Sequence, residues 1–180
     1  MAKLGRGEKS VILLLILVLA GVVSRVVPHA PNFTPVSAII LFSCLFFDKK
    51  LVFLIPILTM LVSDVLIGTH TSMLYTWGAF LLVGVIGYFT LRMGLSAKRV
   101  LVASLASSII FYVVSNFGVW MEGWLYPQTF QGLVECYVMA IPFFRNTLLG
   151  DLFYSGMFYA AYRLVIYLSG AQKLAYSDES

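Results

Sequence analysis

Long apolar segments constrain this chain more than any other feature of its sequence. A membrane-spanning helix needs about 20 residues. Only 11% of the residues are charged, whereas soluble domains carry roughly 25%. The sequence therefore predicts an all-α membrane protein, a bundle of six transmembrane helices in a single transmembrane domain over residues 1–180. The predicted helices cover residues 10–27, 34–47, 51–68, 73–93, 99–121 and 141–169.

The connection between the first two predicted helices, from Ser24 to Pro35, reads SRVVPHAPNFTP and contains three prolines. Proline fixes its own φ, lacks a backbone donor and pushes the preceding residue out of the helical region. We therefore expect the first helix to end here and the chain to run irregularly before it re-enters the membrane. Irregular backbone at membrane depth is tolerated only where protein or a water-filled cavity surrounds it. This connection is predicted to form one wall of a binding site.

Two parts of the chain fit the six-helix pattern less well. The second predicted helix is short for about 30 Å of hydrocarbon, so we expect it to be tilted or incomplete. Residues 123–140, GWLYPQTFQGLVECYVMA, show a less regular pattern and are expected to be a connection. Its YPQTFQG part is either a lid over the site or an ordinary loop.

The distribution of basic residues predicts the orientation. Cytoplasmic loops of membrane proteins carry an excess of Lys and Arg. With six crossings and a cytoplasmic N-terminus, the C-terminus is also cytoplasmic, and we expect a multi-pass protein of the bacterial inner (cytoplasmic) membrane. Ten of the twelve basic residues then lie on the cytoplasmic side, namely Lys3, Arg6, Lys9, Lys49, Lys50, Arg92, Lys98, Arg99, Arg163 and Lys173.

Several function classes find no support in the sequence. The net charge of +4 is spread over loop ends, which does not fit a nucleic-acid-binding face. Cys44 and Cys136 belong to no CxxC or Cys/His cluster, so we predict no metal site and no cofactor. No P-loop, GxSxG elbow, HExxH or paired catalytic carboxylate occurs. The chain alone is therefore no ATP-driven pump, and we do not expect an enzyme.

The orientation places the strongly polar intramembrane residues in the outer half of the bundle. Ionisable groups within membrane segments are costly and normally face the protein interior. For Asp64, two interpretations stand about equal: a carboxylate that orients a substrate, or a structural ion pair with Arg25 or Arg145. Arg145 and Asp151 are six positions apart and cannot pair along one helix, and structural pairing with other partners is slightly favoured for both.

Neutral amides and aromatic rings on the same side suit the recognition of a small polar molecule, because an amide both donates and accepts hydrogen bonds. Trp120, one turn beyond Asn116, is a ring on which a flat ligand can stack. Helix capping by the amides and an interfacial aromatic belt are the plainer explanations. The candidate substrate-binding residues are Arg25, His29, Asn32, Asp64, Trp77, Asn116, Trp120, Arg145, Asn146 and Asp151.

Four strings of the sequence, SRVVPHAPNFTPVSAI, LVSDVLIG, SNFGVW and CYVMAIPFFRNTLLGD, resemble an uncharacterised bacterial family described as membrane transport proteins. Across residues 10–170 the chain also resembles the substrate-binding S-components of energy-coupling factor (ECF) vitamin transporters. That resemblance implies six short helices, inward termini and an outward-facing pocket for a vitamin-like molecule. It also implies that the protein topples in the membrane, driven by a transmembrane subunit and two ATPases.

The resemblance to S-components has two departures. S-components commonly present an Ala-x-x-x-Ala surface on the first helix to the transmembrane subunit, and the matching place here reads AGVVS, from Ala20 to Ser24. A cobalamin transporter with this fold works alone and binds cobalt through a cysteine. We expect no cysteine in the outer pocket of this chain, so that chemistry does not carry over.

The function expected from the sequence is uptake of a vitamin-like or other small molecule that is captured from the outer side. Two alternatives stay open. One is a membrane-embedded enzyme with Asp64, His29 or Asp151 as acid/base groups. The other is an accessory subunit of a membrane complex without its own ligand. The sequence leaves the identity and the charge of the substrate open.

Overall fold

A computed structural model describes residues 6–178, with side chains described over residues 7–169. The described chain is all-helical and contains no strand. Its seven helices are α1 (Arg6–Val26), α2 (Val36–Ser43), α3 (Lys49–Ile67), α4 (Met73–Thr90), α5 (Ala97–Glu122), α6 (Phe130–Met139) and α7 (Ile141–Asp178). Four helices are long and apolar enough to cross a membrane: Gly7–Val26 of α1, and the whole of α3, α4 and α5. The prediction of an all-α protein with several helices that can span a membrane is thereby confirmed.

The second predicted helix, residues 34–47, is shorter in the structure. The eight residues of α2 extend about 12 Å at 1.5 Å per residue, well short of about 30 Å of hydrocarbon. All eight are buried, and α2 contacts α1, α3, α4, α5 and α7. This short helix is therefore the centre of the bundle, around which the longer helices pack.

The proline-rich connection breaks the helical structure as predicted, and residues 27–35 are not helical. This connection folds back into the bundle. The Cα of Phe33 lies 3.3 Å from the Cβ position of Gly150, and its ring is 5.5 Å from that of Tyr154. Gly150 is nine residues beyond the start of α7, about 14 Å along the axis at 1.5 Å per residue. Residues 33–35 of the connection are therefore half-buried, while residues 27–32 are exposed.

Residues 130–139 form α6, where the sequence pattern predicted part of a connection. Thr129 caps this helix, since its hydroxyl accepts a hydrogen bond from the Gly132 amide at 3.1 Å. Only Ala140 separates α6 from α7. Pro142 explains the interruption, because its ring clashes with the preceding turn and it has no N–H to donate. The two helices are therefore one helical path with a break.

Close approach between helices is set by small residues. A Cβ at Gly118 of α5 would lie 2.5 Å from the Tyr75 ring of α4, and one at Gly87 would lie 2.8 Å from the Cys44 sulfur. Large apolar side chains such as Leu19, which is 63% exposed, cover the outside of α1. In a membrane protein such a surface faces lipid.

Candidate functional site

A cavity of about 480 Å³ opens among α5, α6, α7 and the 27–35 connection. Its walls come from the last turns of α1 and α3, the beginning of α4, the second half of α5, and both sides of the α6–α7 break. Five of the ten predicted site residues line it, namely Arg25, His29, Asn32, Asn116 and Asp151.

The 27–35 connection forms part of the cavity wall through a turn in which one residue is in the left-handed region. Asn32 has φ 63° and carries the only positive φ of a non-glycine residue in the described chain. Asparagine tolerates this conformation better than most residues. The Phe33 amide donates a hydrogen bond to the Ala30 carbonyl at 2.9 Å and so closes the turn. The turn leaves Asn32 exposed on the cavity wall while Phe33 packs against α7.

Asp64 lies beside the cavity and not on its wall. One carboxylate oxygen is 2.7 Å from the Arg25 guanidinium, and the other accepts a hydrogen bond from the Trp77 indole at 2.7 Å. Arg25 also donates to the Ser63 hydroxyl. The sequence left open whether Asp64 orients a substrate or forms a structural ion pair. In the structure it forms the ion pair, with Arg25. Trp77 takes part as a hydrogen-bond donor to this pair, away from the cavity lining.

The remaining predicted residues lie off the lining. The Trp120 indole donates to the Pro127 carbonyl at 3.1 Å, and so fastens the end of α5 to the following connection. Arg145 is exposed and Asn146 half-buried on α7. Neither Arg145 nor Asp151 forms an ion pair with a described residue, so the pairing favoured for them from the sequence is not formed there.

The amide of Asn116 faces the cavity from α5. Its nitrogen donates to the Tyr112 carbonyl one turn earlier at 2.8 Å, while its oxygen accepts from no described residue. On the facing α6, the Cys136 thiol donates to the Asn116 backbone carbonyl at 3.4 Å. Cys136 lines the cavity, so the expectation that no cysteine lies in this pocket is wrong. The reason is that residues 130–139 are helical and turn Cys136 inward.

Aromatic rings form the apolar part of the wall. Tyr112 and Phe144 have ring centroids 4.7 Å apart, and Phe80 and Phe111 are 5.0 Å apart. All four line the cavity. Tyr126, in the connection before α6, closes the wall, and burial raises the pKa of its phenol. The hydroxyl is therefore neutral near pH 7 and available to donate or accept a hydrogen bond.

Asp151 forms part of the inner end of the cavity and is 3% exposed. Its carboxylate accepts a hydrogen bond from the Ser108 hydroxyl at 2.7 Å, and the Ser37 hydroxyl of α2 is a second side-chain partner. Ser108 lies near the middle of the 26 residues of α5. The carboxylate is therefore deep in the bundle and is held by neutral groups.

Sequence reasoning missed the lining residues that are neither charged nor amides. Cys136, Ala140 and Thr147 were missed, and together with the predicted Asp151 they line the cavity at intervals of four, seven and four residues. This helical spacing continues across Ala140, so α6 and α7 present one face to the cavity. The same spacing is visible in the sequence, but it carries no signal unless residues 130–139 are taken as helix.

The profile of a family of unknown function, DUF6580, matches residues 6–174 of the chain. The chain belongs to this family. No curated protein and no solved structure matches the chain. The part of this DUF6580 member that matches the profile contains α1 to α6 and most of α7. Every residue that lines the cavity therefore lies within the region that the family shares.

Proposed function

We propose that this protein is a substrate-binding protein for uptake, which captures a vitamin-like small molecule in the cavity lined by Arg25, Asn32 and Asn116. One observation carries the proposal. The irregular 27–35 connection packs against Gly150 of α7, about 14 Å along the axis from the start of that helix, and lines a cavity of about 480 Å³. Irregular backbone at such depth is tolerated where it borders protein or a water-filled cavity, and small-molecule sites range over roughly 300–1,000 Å³.

The chemistry of the wall favours a flat molecule with polar edges. Tyr112 and Phe144 supply ring faces, while Asn32 and Asn116 supply donors and acceptors without a formal charge. The positive charge of Arg25 is already balanced by Asp64, so the part of the cavity wall around Arg25 attracts neither anions nor cations strongly. Ring compounds of the size of a nucleobase or a vitamin precursor are the substrate class that this wall fits.

The proposal places the cavity mouth on the outer side of a bacterial inner membrane. The end of the bundle opposite the cavity carries the beginnings of α3 and α5, with Lys49, Lys50, Lys98 and Arg99. An excess of basic residues is typical of the cytoplasmic side. In this orientation, with six crossings and cytoplasmic termini, α2 completes one crossing together with the connection that precedes it.

The resemblance to ECF S-components suggests the energising partner, a transmembrane subunit with ATPases. The corresponding surface is on α1, where Ala20 is exposed and Ser24 is half-buried. The Ser24 hydroxyl donates to the Gly21 carbonyl of its own helix at 2.8 Å, so it leaves a small surface on which a second helix can pack closely. Co-purification with such a subunit, lost in Ala20→Leu, tests this part of the proposal.

The substrate proposal is tested by thermal unfolding of the detergent-solubilised protein in the presence of vitamins, their precursors and nucleobases. A ligand at 100 times its Kd stabilises the protein by about 2.7 kcal/mol, which raises Tm measurably. Asn116→Ala should abolish the shift. Asn146→Ala is the matched control, because Asn146 lies on α7 outside the cavity lining, and it should keep the shift.

Two outcomes contradict the proposal. A ligand shift that survives Asn116→Ala but disappears in Asn146→Ala would place the site elsewhere on α7. A compound that is recovered chemically changed after incubation with the purified protein would favour a membrane enzyme. Recovery of the unchanged compound is the result expected for an uptake protein.

A further inference from the structure

The carboxylate of Asp151 has no balancing charge among the described residues. The ion pair that these residues form joins Arg25 to Asp64, and the side-chain partners of Asp151 are the hydroxyls of Ser108 and Ser37. An ionised carboxylate that is 3% exposed is costly unless it is paired or coordinates a cation. Its two side-chain partners are neutral hydroxyls.

A second layer of hydroxyls lies one helical turn below Asp151. Ser104 precedes Ser108 by four residues on α5, and Ser155 follows Asp151 by four residues on α7. Because the two helices run antiparallel and Ser108 contacts Asp151, Ser104 and Ser155 occur at the same level. Both are at most 1% exposed, and neither hydroxyl oxygen has a hydrogen-bond partner in the described chain.

Buried hydroxyls without a partner are rare in native structures, and an ion is one of the reasons for their occurrence. The layer of Ser104 and Ser155 is separate from the hydrogen bonds that satisfy Asp151. The two layers together offer one carboxylate and four hydroxyls, and of these groups Asp151 and Ser37 line the cavity.

We propose that Asp151 is the centre of a Na⁺ site, with the ion between the level of Ser37 and Ser108 and the level of Ser104 and Ser155. An all-oxygen ligand set suits a hard cation. One carboxylate balances one monovalent charge, whereas a divalent ion would leave a net positive charge in a low-dielectric interior. A proton needs a single acceptor and leaves the lower hydroxyls unpartnered.

This site also lies on the cavity wall, since Asp151 is part of the lining. An ion at Asp151 neutralises the inner end of the cavity. The inference does not depend on the substrate proposed above, because Na⁺ binding is measured on the protein without any substrate.

The test is thermal unfolding of the purified, detergent-solubilised protein at one pH and constant ionic strength, with Na⁺ replaced stepwise by choline. Wild-type protein should show a saturable rise in Tm with Na⁺ concentration, with a smaller response to K⁺. Asp151→Asn should remove the rise. Asp48→Asn is the matched control, because Asp48 is an exposed cap of α3 and asparagine caps equally well.

A second pair of variants keeps the test decisive if Asp151→Asn folds poorly. Ser104→Ala and Ser155→Ala each remove an unpartnered hydroxyl, so both should fold at least as well as wild type without Na⁺. Each should weaken the apparent Na⁺ affinity by about tenfold, the factor that the loss of one contact to a charged group produces.

Three outcomes overturn the proposal. The first is a Tm that is the same in Na⁺ and choline for the wild-type protein. The second is a Na⁺ response that Asp151→Asn retains. The third is an unchanged Na⁺ affinity in both serine variants, which would mean that the unpartnered hydroxyls have no part in ion binding.

Discussion

Arg25 and Asp64 form an ion pair at 2.7 Å that joins the end of α1 to α3 beside the cavity. The two members are buried unequally, since the side chain of Asp64 is 3% exposed and that of Arg25 is 17% exposed. The Trp77 indole supplies a further hydrogen bond to the carboxylate at 2.7 Å. The carboxylate therefore depends on α1 and α4 for its compensation, while the guanidinium retains contact with the cavity.

This asymmetry predicts unequal effects of removing each partner. Arg25→Gln leaves a buried carboxylate without a counter-charge and should destabilise the protein by about 3–5 kcal/mol. Asp64→Asn should cost less, because the Arg25 guanidinium can be hydrated from the cavity. The double variant should be more stable than Arg25→Gln alone. Chemical unfolding in detergent measures all three, and additive effects in the double-mutant cycle would show that the two groups do not interact.

Trp77→Phe removes one donor to Asp64 and keeps the aromatic ring in the core. A hydrogen bond to a charged group contributes about 1.5–3 kcal/mol, so we expect the free energy of unfolding to fall by about that amount and Tm to fall with it. Trp124→Phe is the control, since Trp124 is 73% exposed and also donates to a carboxylate, that of Glu122. An equal loss in both variants would mean that burial of the acceptor does not matter here.

Gly118→Ala should separate α4 from α5. The added methyl group would lie 2.5 Å from the Tyr75 ring, and such overpacking costs about 1–3 kcal/mol. Gly78→Ala is the control, because a Cβ at Gly78 has no neighbour within 4 Å. A glycine in a helix is less favourable than alanine by roughly 0.5–1 kcal/mol, so Gly78→Ala should raise Tm. A loss of stability in both would contradict the close contact.

Thr129→Ala removes the cap of α6, whose hydroxyl accepts the Gly132 amide at 3.1 Å. Loss of such a cap costs about 0.5–2 kcal/mol. Because α6 carries Cys136 on the cavity wall, the same change should weaken binding of any cavity ligand. Thr129→Ser keeps the hydroxyl and should restore both stability and affinity. If serine behaves like alanine, the methyl group and not the cap is responsible.

Hydropathy predicted where the long helices lie, because about 20 apolar residues in a row have no other stable conformation in a membrane. The proline-rich connection was predicted for an equally local reason, since proline excludes helix wherever it occurs at such density. The hydropathy pattern predicted the bounds of α2 and the presence of α6 less well. Helix α2 ends early, at Ser43. Helix α6 lies between Pro127 and Pro142, and its polar and small residues obscured its helical periodicity.

The residues predicted for the candidate site also fall into two groups, those that line the cavity and those that do not. Arg25, His29, Asn32, Asn116 and Asp151 line the cavity. Trp120 and Asn146 lie on the same helices but face other partners or other directions. A shift of one or two residues along a helix turns a side chain by 100–200°, at about 3.6 residues per turn. Sequence spacing therefore assigned residues to an end of the bundle more securely than to the cavity wall.

The sequence by itself determined that this protein is helical, that it is built for a membrane and that its polar residues gather towards one end. Those properties follow from the free energy of transferring each residue into lipid, which depends on residue type. Only the tertiary structure decided that Asp64 pairs with Arg25, whereas Asp151 has serine partners from α2 and α5. These carboxylates share a residue type, and what distinguishes them is which helices pack against each, a choice made by contacts between residues distant in sequence.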